Sequence, residues 1–376
     1  MNIRRLIPIV LCCLSLIPAV ARAASDMPET VLGTIVTVIS QEDQPVEGTN
    51  LTQTVQQLSV KVLEGTYKDR IEQVENDITP LHSGDRVYLT ISSDDQGNPS
   101  VVGFGVADPY RLPVLGWLAA LFVLLVLVFG GLQGIRGLSS LIGGLALIVF
   151  VLLPGLLKGY SPLGLSICVS ALIIIVGSYI THGFNRTTTA AVIGMVITVV
   201  IVGFLALWVV HAARLTGMNS EESMFLSADT SGQVDLVGLL LGGILIGLLG
   251  VLYDIAIGQA ISVEELRRAS HEMQPRHLFG RALRIGREHI GALVNTLAIA
   301  YVGISLPLLL VLYSEHAGIL QSLNKEIFAT EIVRILIGSI GLVIAVPITT
   351  AIAVAMLKDR RFPATGEPAG HRHPTP

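Results

Sequence analysis

The pattern of apolar and polar positions divides the chain into two parts. In the first, short runs such as 34–39, 57–62 and 86–91 alternate apolar with polar residues and are separated by turn-forming Gly, Asp and Asn. A period of two is typical of strands with one buried face. From residue 112 onward, apolar runs of about 20 residues or more follow one another, each long enough to cross a hydrocarbon core of about 30 Å. The pattern therefore predicts a β domain followed by an α-helical polytopic membrane domain.

The runs also set the predicted domain boundaries. Four or five short strands with little helix favour a small β-barrel of the OB-like or SH3-like kind. We predict a signal peptide over 1–23, an extracytoplasmic acidic β domain over 24–108, a membrane domain over 109–357 and a disordered cytoplasmic tail over 358–376. About seven transmembrane helices are expected, over 113–135, 138–157, 161–181, 187–210, 235–256, 290–313 and 333–357.

The leader has the three parts of a secretory signal. Arg4 and Arg5 precede an apolar run, and Ala21-Arg22-Ala23 forms a small-x-small cleavage site. An uncleaved signal anchor is the alternative. In both cases the residues that follow are exported.

The distribution of basic residues among the connectors also places the β domain outside the membrane. If the β domain is outside, the predicted cytoplasmic connectors and tail hold twelve Lys and Arg, and the predicted external ones hold five. This bias follows the positive-inside rule. We therefore expect a multi-pass protein of the bacterial plasma (inner) membrane, with its N-terminal domain outside and its C-terminus in the cytoplasm.

Composition excludes several function classes. Only 14% of residues are charged, against about 25% in soluble domains. The net charge of −4 argues against a nucleic-acid partner. Cys12 and Cys13 lie in the leader, so Cys168 alone remains and neither a disulfide framework nor a cysteine-based metal site is expected. We also expect no cofactor. Residues 24–108 hold fourteen carboxylates against four basic residues, a surface that either recruits an external partner or keeps the domain soluble.

Glycines recur in the fifth predicted span at spacings that favour close helix packing. Glycine lets helix backbones approach where lipid supplies no hydrophobic drive, and such faces also permit a homo-oligomer. The predicted packing positions are Gly238, Gly242, Gly243, Gly247 and Gly250.

Charged groups inside a span are functional hypotheses by default, and Asp254 is the clear case. Asn295 and Thr296, in the sixth predicted span, lie at a similar depth, and Tyr301 lies deeper. We predict one polar network of Asp254 and Asn295 with the pair Arg287/Glu288 at the cytoplasmic mouth. Hydrogen bonding between helices explains Asn295 and Thr296 equally well.

A basic segment lies between these two spans. Arg281, Arg284 and Arg287 recur every three residues with apolar residues between them. The pattern predicts an amphipathic segment over 276–287 that binds anionic lipid headgroups. A cytoplasmic gate or a phosphate site is the alternative.

Three stretches carry a specific resemblance. Residues 247–254, 285–291 and 295–310, with Ser262 and Glu264 between them, are similar to the YibE/YibF family of bacterial polytopic membrane proteins. The resemblance implies the membrane architecture and adds Glu264 to the candidate polar network. It implies no reaction, substrate or cofactor. One departure is that the family usually has Arg-Asp where this chain has Arg287-Glu288.

Two functions fit these observations. The first is a permease or channel-like protein for a small solute or ion. The alternative is a non-catalytic scaffold or sensor whose external domain binds a partner. An enzyme is not expected, because no catalytic residues stand out: the chain has no His-Glu-x-x-His and no Gly-x-Ser-x-Gly motif.

Overall fold

A computed structural model of the protein describes residues 29–45, 52–93, 102–270, 272–314 and 318–358. The predicted signal peptide and nearly all of the predicted tail lie outside these residues. The chain forms two compact units, and the division falls between Gly131 and Leu132.

The first unit contains a five-stranded antiparallel sheet with the order β3-β2-β1-β4-β5. The predicted alternating runs are therefore strands, and the predicted β fold of this part of the chain is confirmed. The strands pair as an open ladder with β3 and β5 at its edges, so a closed OB-like or SH3-like barrel stays a prediction. The strands are β1 (Glu29–Pro45), β2 (Thr52–Val62), β3 (Ile71–Asn76), β4 (Arg86–Ser93) and β5 (Val102–Pro109).

The core of the sheet follows the period of two. Leu58 and Val60 of β2 are fully buried, as is Leu89 of β4. A buried amide pair lies beside them: Gln56 accepts from Asn76 Nδ2 at 2.9 Å, and its carbonyl oxygen also accepts from the backbone N–H of Leu81 at 2.8 Å. Because a buried polar group must be hydrogen-bonded, Gln56 fixes the β3–β4 connector against β2.

From Leu112 onward the described chain is helical, and the division between the two units falls inside its first helix. Five helical runs are long and apolar enough to cross a membrane, or six if α7 and α8 form one bent span. The mostly helical membrane architecture is confirmed, whereas the count of seven is not shown. The helices are α1 (Leu112–Leu147), α2 (Leu153–Leu157), α3 (Pro162–His182), α4 (Arg186–Ala212), α5 (Glu221–Asp229), α6 (Leu236–Ala269), α7 (Pro275–Ile304), α8 (Leu306–Ser314), α9 (Ile319–Leu323) and α10 (Glu326–Leu357).

The difference in count arises at the first two predicted spans. They form one run of 46 residues, Leu112–Leu157, in which a π-helical turn joins α1 to α2. The sequence pattern placed a loop at Arg136-Gly137, but these residues are helical. The backbone breaks earlier, at Gly131, where φ is 52° and ψ is −137°. Only glycine adopts such angles readily.

Helix α6 is the centre of the second unit. Leu245, Leu248 and Leu252 are buried along one side of it, within a core that continues into α4 and α10. Its first turn is fixed by Asp235, whose carboxylate accepts from the backbone N–H of Gly238 at 3.0 Å. A side-chain acceptor at this position satisfies a donor that the helix itself leaves unpaired.

Contacts between the connectors define two ends of this bundle. At the end that we call the basic end, Thr187 donates to Glu264, and Arg267 donates to the backbone carbonyl of Lys358. At the opposite end, which we call the α5 end, Glu326 accepts from the backbone N–H groups of Thr216 at 2.6 Å and Gly217 at 2.9 Å.

Candidate functional site

One face of α6 is open. Gly243, Gly247, Gly250 and Asp254 are exposed, whereas the residues between them are buried or partly buried. Their spacing of four, three and four residues places them within an arc of about 60°, since each residue turns the helix by about 100°. We call these four residues the α6 stripe.

A pocket of about 220 Å³ lies at the α5 end of this face. The first turns of α6 form one wall, and Gly243 belongs to it. The guanidinium of Arg334, from α10, lines the same pocket, as do Ser220 and Glu222 at the start of α5. Ser220 and Ser223 cap α5 reciprocally through their side chains and backbone N–H groups. The pKa of the Glu222 carboxyl lies below its ordinary value because its own backbone and the Ser220 side chain hydrogen-bond to it.

A second pocket, also of about 220 Å³, lies at the basic end. Its polar lining comes from His182, Asn185, Thr187, Thr188 and Glu264. The Glu264 carboxylate accepts from Thr187 Oγ1 and from Arg268 Nη2, the latter at 3.3 Å. Among the described residues, no three His, Cys, Asp or Glu side chains gather as a metal site would require.

Both pockets lie on the same side of α6. Ile257, Ile261 and Glu264 line the basic-end pocket, and they lie within about 60° of Gly243 around the helix. From Gly243 to Ile257 this side of α6 runs for 14 residues, which is about 21 Å along the axis. The same side of α6 thus borders two pockets at opposite ends of the bundle, each lined in part by polar side chains.

Tyr301 crosses the α6 stripe. A Cβ added to Gly247 would lie 2.4 Å from the Tyr301 hydroxyl. One turn later α7 ends, and α8 leaves at 68° to it. At this break Ser305 Oγ donates to Glu331 Oε2 at 3.3 Å, and Glu331 pairs with Arg334 at 2.8 Å. The side chains of Glu331 and Arg334 are only 19% and 26% exposed.

The Glu331–Arg334 pair was missed by the sequence analysis. The apolar pattern predicts that the last span begins at residue 333, so that Arg334 would lie at its edge, whereas α10 begins at Glu326. Two opposite charges three residues apart within an apolar run were the available signal, because such a pair can bond across one helical turn.

The predicted polar network is not joined in the structure. Asp254, Arg287, Glu288 and Asn295 are all exposed, and no hydrogen bond or ion pair links them within the part of the chain that the structure describes. Thr296 donates to the carbonyl of Ala292 in its own helix, at 2.9 Å. Of the remaining predicted members, Glu264 lines the basic-end pocket and Tyr301 crosses the α6 stripe.

These residues do not meet because they point in different directions around the axes of α6 and α7. Gln259 of α6 and Gly286 of α7 face each other, since a Cβ on Gly286 would lie 2.7 Å from Gln259 Oε1. Asp254 lies about 140° around α6 from Gln259, and Asn295 about 180° around α7 from Gly286. A similar depth in the membrane therefore did not imply a shared interface.

Gln259 is the polar residue that joins these helices. It is 2% exposed, and its Nε2 donates to the Ala282 carbonyl and to Thr350 Oγ1, each at 2.8 Å. It thereby links α6 to α7 and α10. Gln259 carries no distinctive signal in the sequence, because a neutral amide at the end of an apolar run resembles many surface residues.

The five predicted packing glycines fall into two groups. A Cβ on Gly238 would lie 2.4 Å from Pro162, and one on Gly242 would lie 2.6 Å from Ser166 Oγ. These two positions, on the α3 side of α6, require glycine for close approach. Gly247 faces Tyr301, whereas Gly243 and Gly250 have no neighbouring atom within 4 Å of such a Cβ.

The architecture is that of a helical membrane protein that carries a small antiparallel β unit before its apolar helices. A family model described as YibE/F-like protein matches residues 118–359, which is more than half of the chain. The chain belongs to the YibE/F-like family, and the resemblance found in the sequence is confirmed. No curated protein and no solved structure matches it.

Proposed function

We propose that this protein is a permease or channel-like protein for a small polar solute or ion, and that the solute moves along the α6 stripe. The observation that carries the proposal is the position of two pockets, each with polar side chains in its wall, on one side of α6 at opposite ends of the bundle. The pocket volume of about 220 Å³ limits the solute to a small one.

The chemistry of the stripe supports a polar path. Gly243 and Gly250 leave open space beside the helix, and Asp254 presents a carboxylate on the same face. A charged side chain that faces hydrocarbon is costly, so ionisable groups within spans usually face water or protein. A water-filled stripe would hydrate Asp254.

The broken helix supports the same function. Discontinuous spans mark the binding sites of many transporters, because they release backbone groups at membrane depth. Here the α7–α8 break carries the Ser305–Glu331–Arg334 cluster, and Arg334 also lines the α5-end pocket.

We further propose seven spans. The segments 112–130 and 132–157 flank the break at Gly131 and measure about 28 Å and 39 Å as helices, so each can cross a bilayer core of about 30 Å. With α3, α4, α6, the bent pair α7–α8, and α10, this gives seven crossings. The β unit is then outside the bacterial plasma membrane, and the basic end is cytoplasmic, as the positive-inside rule expects.

Cysteine labelling tests this topology. A cysteine introduced at Ser93 should react with an impermeant maleimide in intact cells whose outer membrane has been permeabilised, and one at Ser270 should react only after lysis. Both variants carry Cys168→Ser. The reverse pattern would overturn the orientation, and labelling of both positions from one side would overturn the count.

Permeability of reconstituted protein tests the function. In stopped-flow light scattering, liposomes that contain the protein should swell faster than empty ones in at least one of urea, glycerol, ammonium chloride or potassium chloride. Gly247→Leu should abolish the difference, because the leucine fills the stripe beneath Tyr301. The matched control is Gly143→Leu, at a glycine of α1 with open space around it.

Two results would contradict the proposal. One is swelling no faster than that of empty liposomes with every solute, and the other is equal swelling by wild type and Gly247→Leu. Either would favour the alternative of a non-catalytic scaffold or sensor with an external partner.

A further inference from the structure

The first four turns of α7 form a two-sided surface. Arg276, Arg281, Arg284 and Arg287 are all exposed, and their spacing places them within an arc of about 140°. We call these four residues the arginine face. On the opposite side Leu278, Ala282 and Gly286 are buried.

The buried side fixes the direction of the arginine face. A Cβ on Gly286 would lie 2.5 Å from the side chain of Val346 of α10, so this side chain packs directly on the α7 backbone. Gln259 holds the same turn through its hydrogen bond to the Ala282 carbonyl. The helix cannot rotate without breaking these contacts, and the arginines therefore point away from the bundle.

The arginine face carries a net positive charge within the described parts of the chain. None of its four guanidinium groups makes an ion pair there, in contrast with Arg268, which pairs with Glu264 and Glu265, and with Arg334, which pairs with Glu331. Glu288 is the acidic residue on this side of α7. One carboxylate does not balance four guanidinium groups, so the face can attract an anion.

The depth of the face indicates what supplies that charge. Gly286 packs beside Gln259, which is 24 residues after the N-cap of α6, or about 36 Å along the axis. The hydrocarbon core is about 30 Å thick. The arginine face therefore begins at the level of the lipid headgroups, and Gly280 and Gly291 leave open space on it.

We infer that the arginine face binds the phosphate headgroups of anionic phospholipids in the leaflet at the basic end. Guanidinium groups donate hydrogen bonds in pairs to phosphate oxygens. Because the face begins at the level of the headgroups and points away from the bundle, it lies beside lipid, which favours a lipid phosphate over a soluble anion. This lipid site is separate from the proposed solute path, because it lies on α7 and includes no residue of the α6 stripe.

Native mass spectrometry of the full-length protein in detergent tests the inference with phosphatidylglycerol and phosphatidylcholine as probes. Wild type should bind phosphatidylglycerol more tightly than phosphatidylcholine. The triple variant Arg281→Gln, Arg284→Gln, Arg287→Gln should lose that preference. The affinity for phosphatidylglycerol should fall by about fivefold per arginine removed, or on the order of a hundredfold in total. Inorganic phosphate added in excess should not displace the lipid.

Two control variants separate charge from structure. The triple Lys variant at the same positions should retain much of the preference, and Arg86→Gln, Arg111→Gln, Arg214→Gln should retain all of it. A preference that survives in the first Gln variant, or that wild type does not have, would overturn the inference. Displacement by inorganic phosphate would instead make the face a soluble-anion site and would also overturn it.

Discussion

The hydroxyl of Tyr301 lies over the backbone of Gly247, so close that a Cβ at position 247 would be 2.4 Å from its oxygen. This is where α7 crosses the open face of α6, between the pockets at its two ends. Tyr301 is therefore placed to limit the movement of the proposed solute along the α6 stripe.

Removal of the Tyr301 ring should open the stripe. In the liposome assay, Tyr301→Ala should increase the swelling rate several-fold, and Tyr301→Phe should have a smaller effect because the ring remains. Tyr313→Ala is the control, since Tyr313 is 89% exposed on α8. A rate unchanged by Tyr301→Ala would show that the ring does not limit the path.

Alanine substitution should affect stability differently at glycines that contact another helix and at glycines with free space around them. Gly238→Ala places a methyl group against Pro162 and should destabilise the protein by about 1–3 kcal/mol. Gly250→Ala meets no atom within 4 Å and should stabilise it by up to about 1 kcal/mol through helix propensity. Unfolding in mixed detergent micelles measures both. Equal effects at the two positions would contradict the assigned contacts.

Gln259 should contribute to the stability of the bundle. Gln259→Leu removes the donor to Ala282 and Thr350 and should destabilise the protein by about 0.5–2 kcal/mol, the range for hydrogen bonds between membrane helices. Gln321→Leu, at an exposed position on α9, should have little effect. A Gln259 variant as stable as wild type would mean that the amide does not hold α7 in place.

Acid should weaken one ion pair in the β unit. Lys61 Nζ lies 2.8 Å from Asp69 Oδ1, and this lysine holds the pKa of the Asp69 carboxyl below its ordinary value of 3.8. A carboxyl whose pKa is lower in the folded than in the unfolded state stabilises the fold at any pH above its unfolded pKa. This stabilisation is lost as the pH falls through the folded-state pKa. A double-mutant cycle with Lys61→Gln and Asp69→Asn on residues 24–108, followed by circular dichroism, should give a coupling energy at pH 7 that disappears below pH 3.8. A coupling energy independent of pH would contradict the assignment.

The β strands were predictable because their signal is local. The runs 34–39, 57–62 and 86–91 alternate at a period of two, and they lie in β1, β2 and β4. The apolar helices were predictable for the same reason, since length and composition alone identify them. The break at Gly131 was not, because Arg136-Gly137 gave a stronger polar signal nearby than a single glycine in an apolar run.

The candidate site was predicted only in part, because a sequence gives depth more readily than direction. Counting residues placed Asp254 and Asn295 at a similar depth, but the contact between Gln259 and Gly286 sets the rotation of both helices. That contact joins residues far apart in the chain, and no local pattern encodes it. Glu331 and Arg334 were missed because the start of α10 was placed too late.

A solute path along α6 requires that the α6 stripe face water. In a Cys168→Ser background, a cysteine at Gly250 should react with a charged methanethiosulfonate reagent in proteoliposomes, and Gly247→Leu should slow that reaction. A cysteine at Ile201, which is 41% exposed on α4, should react with a membrane-permeant maleimide but not with the charged reagent. If position 250 behaves like position 201, the stripe faces lipid and the account of a solute path is wrong.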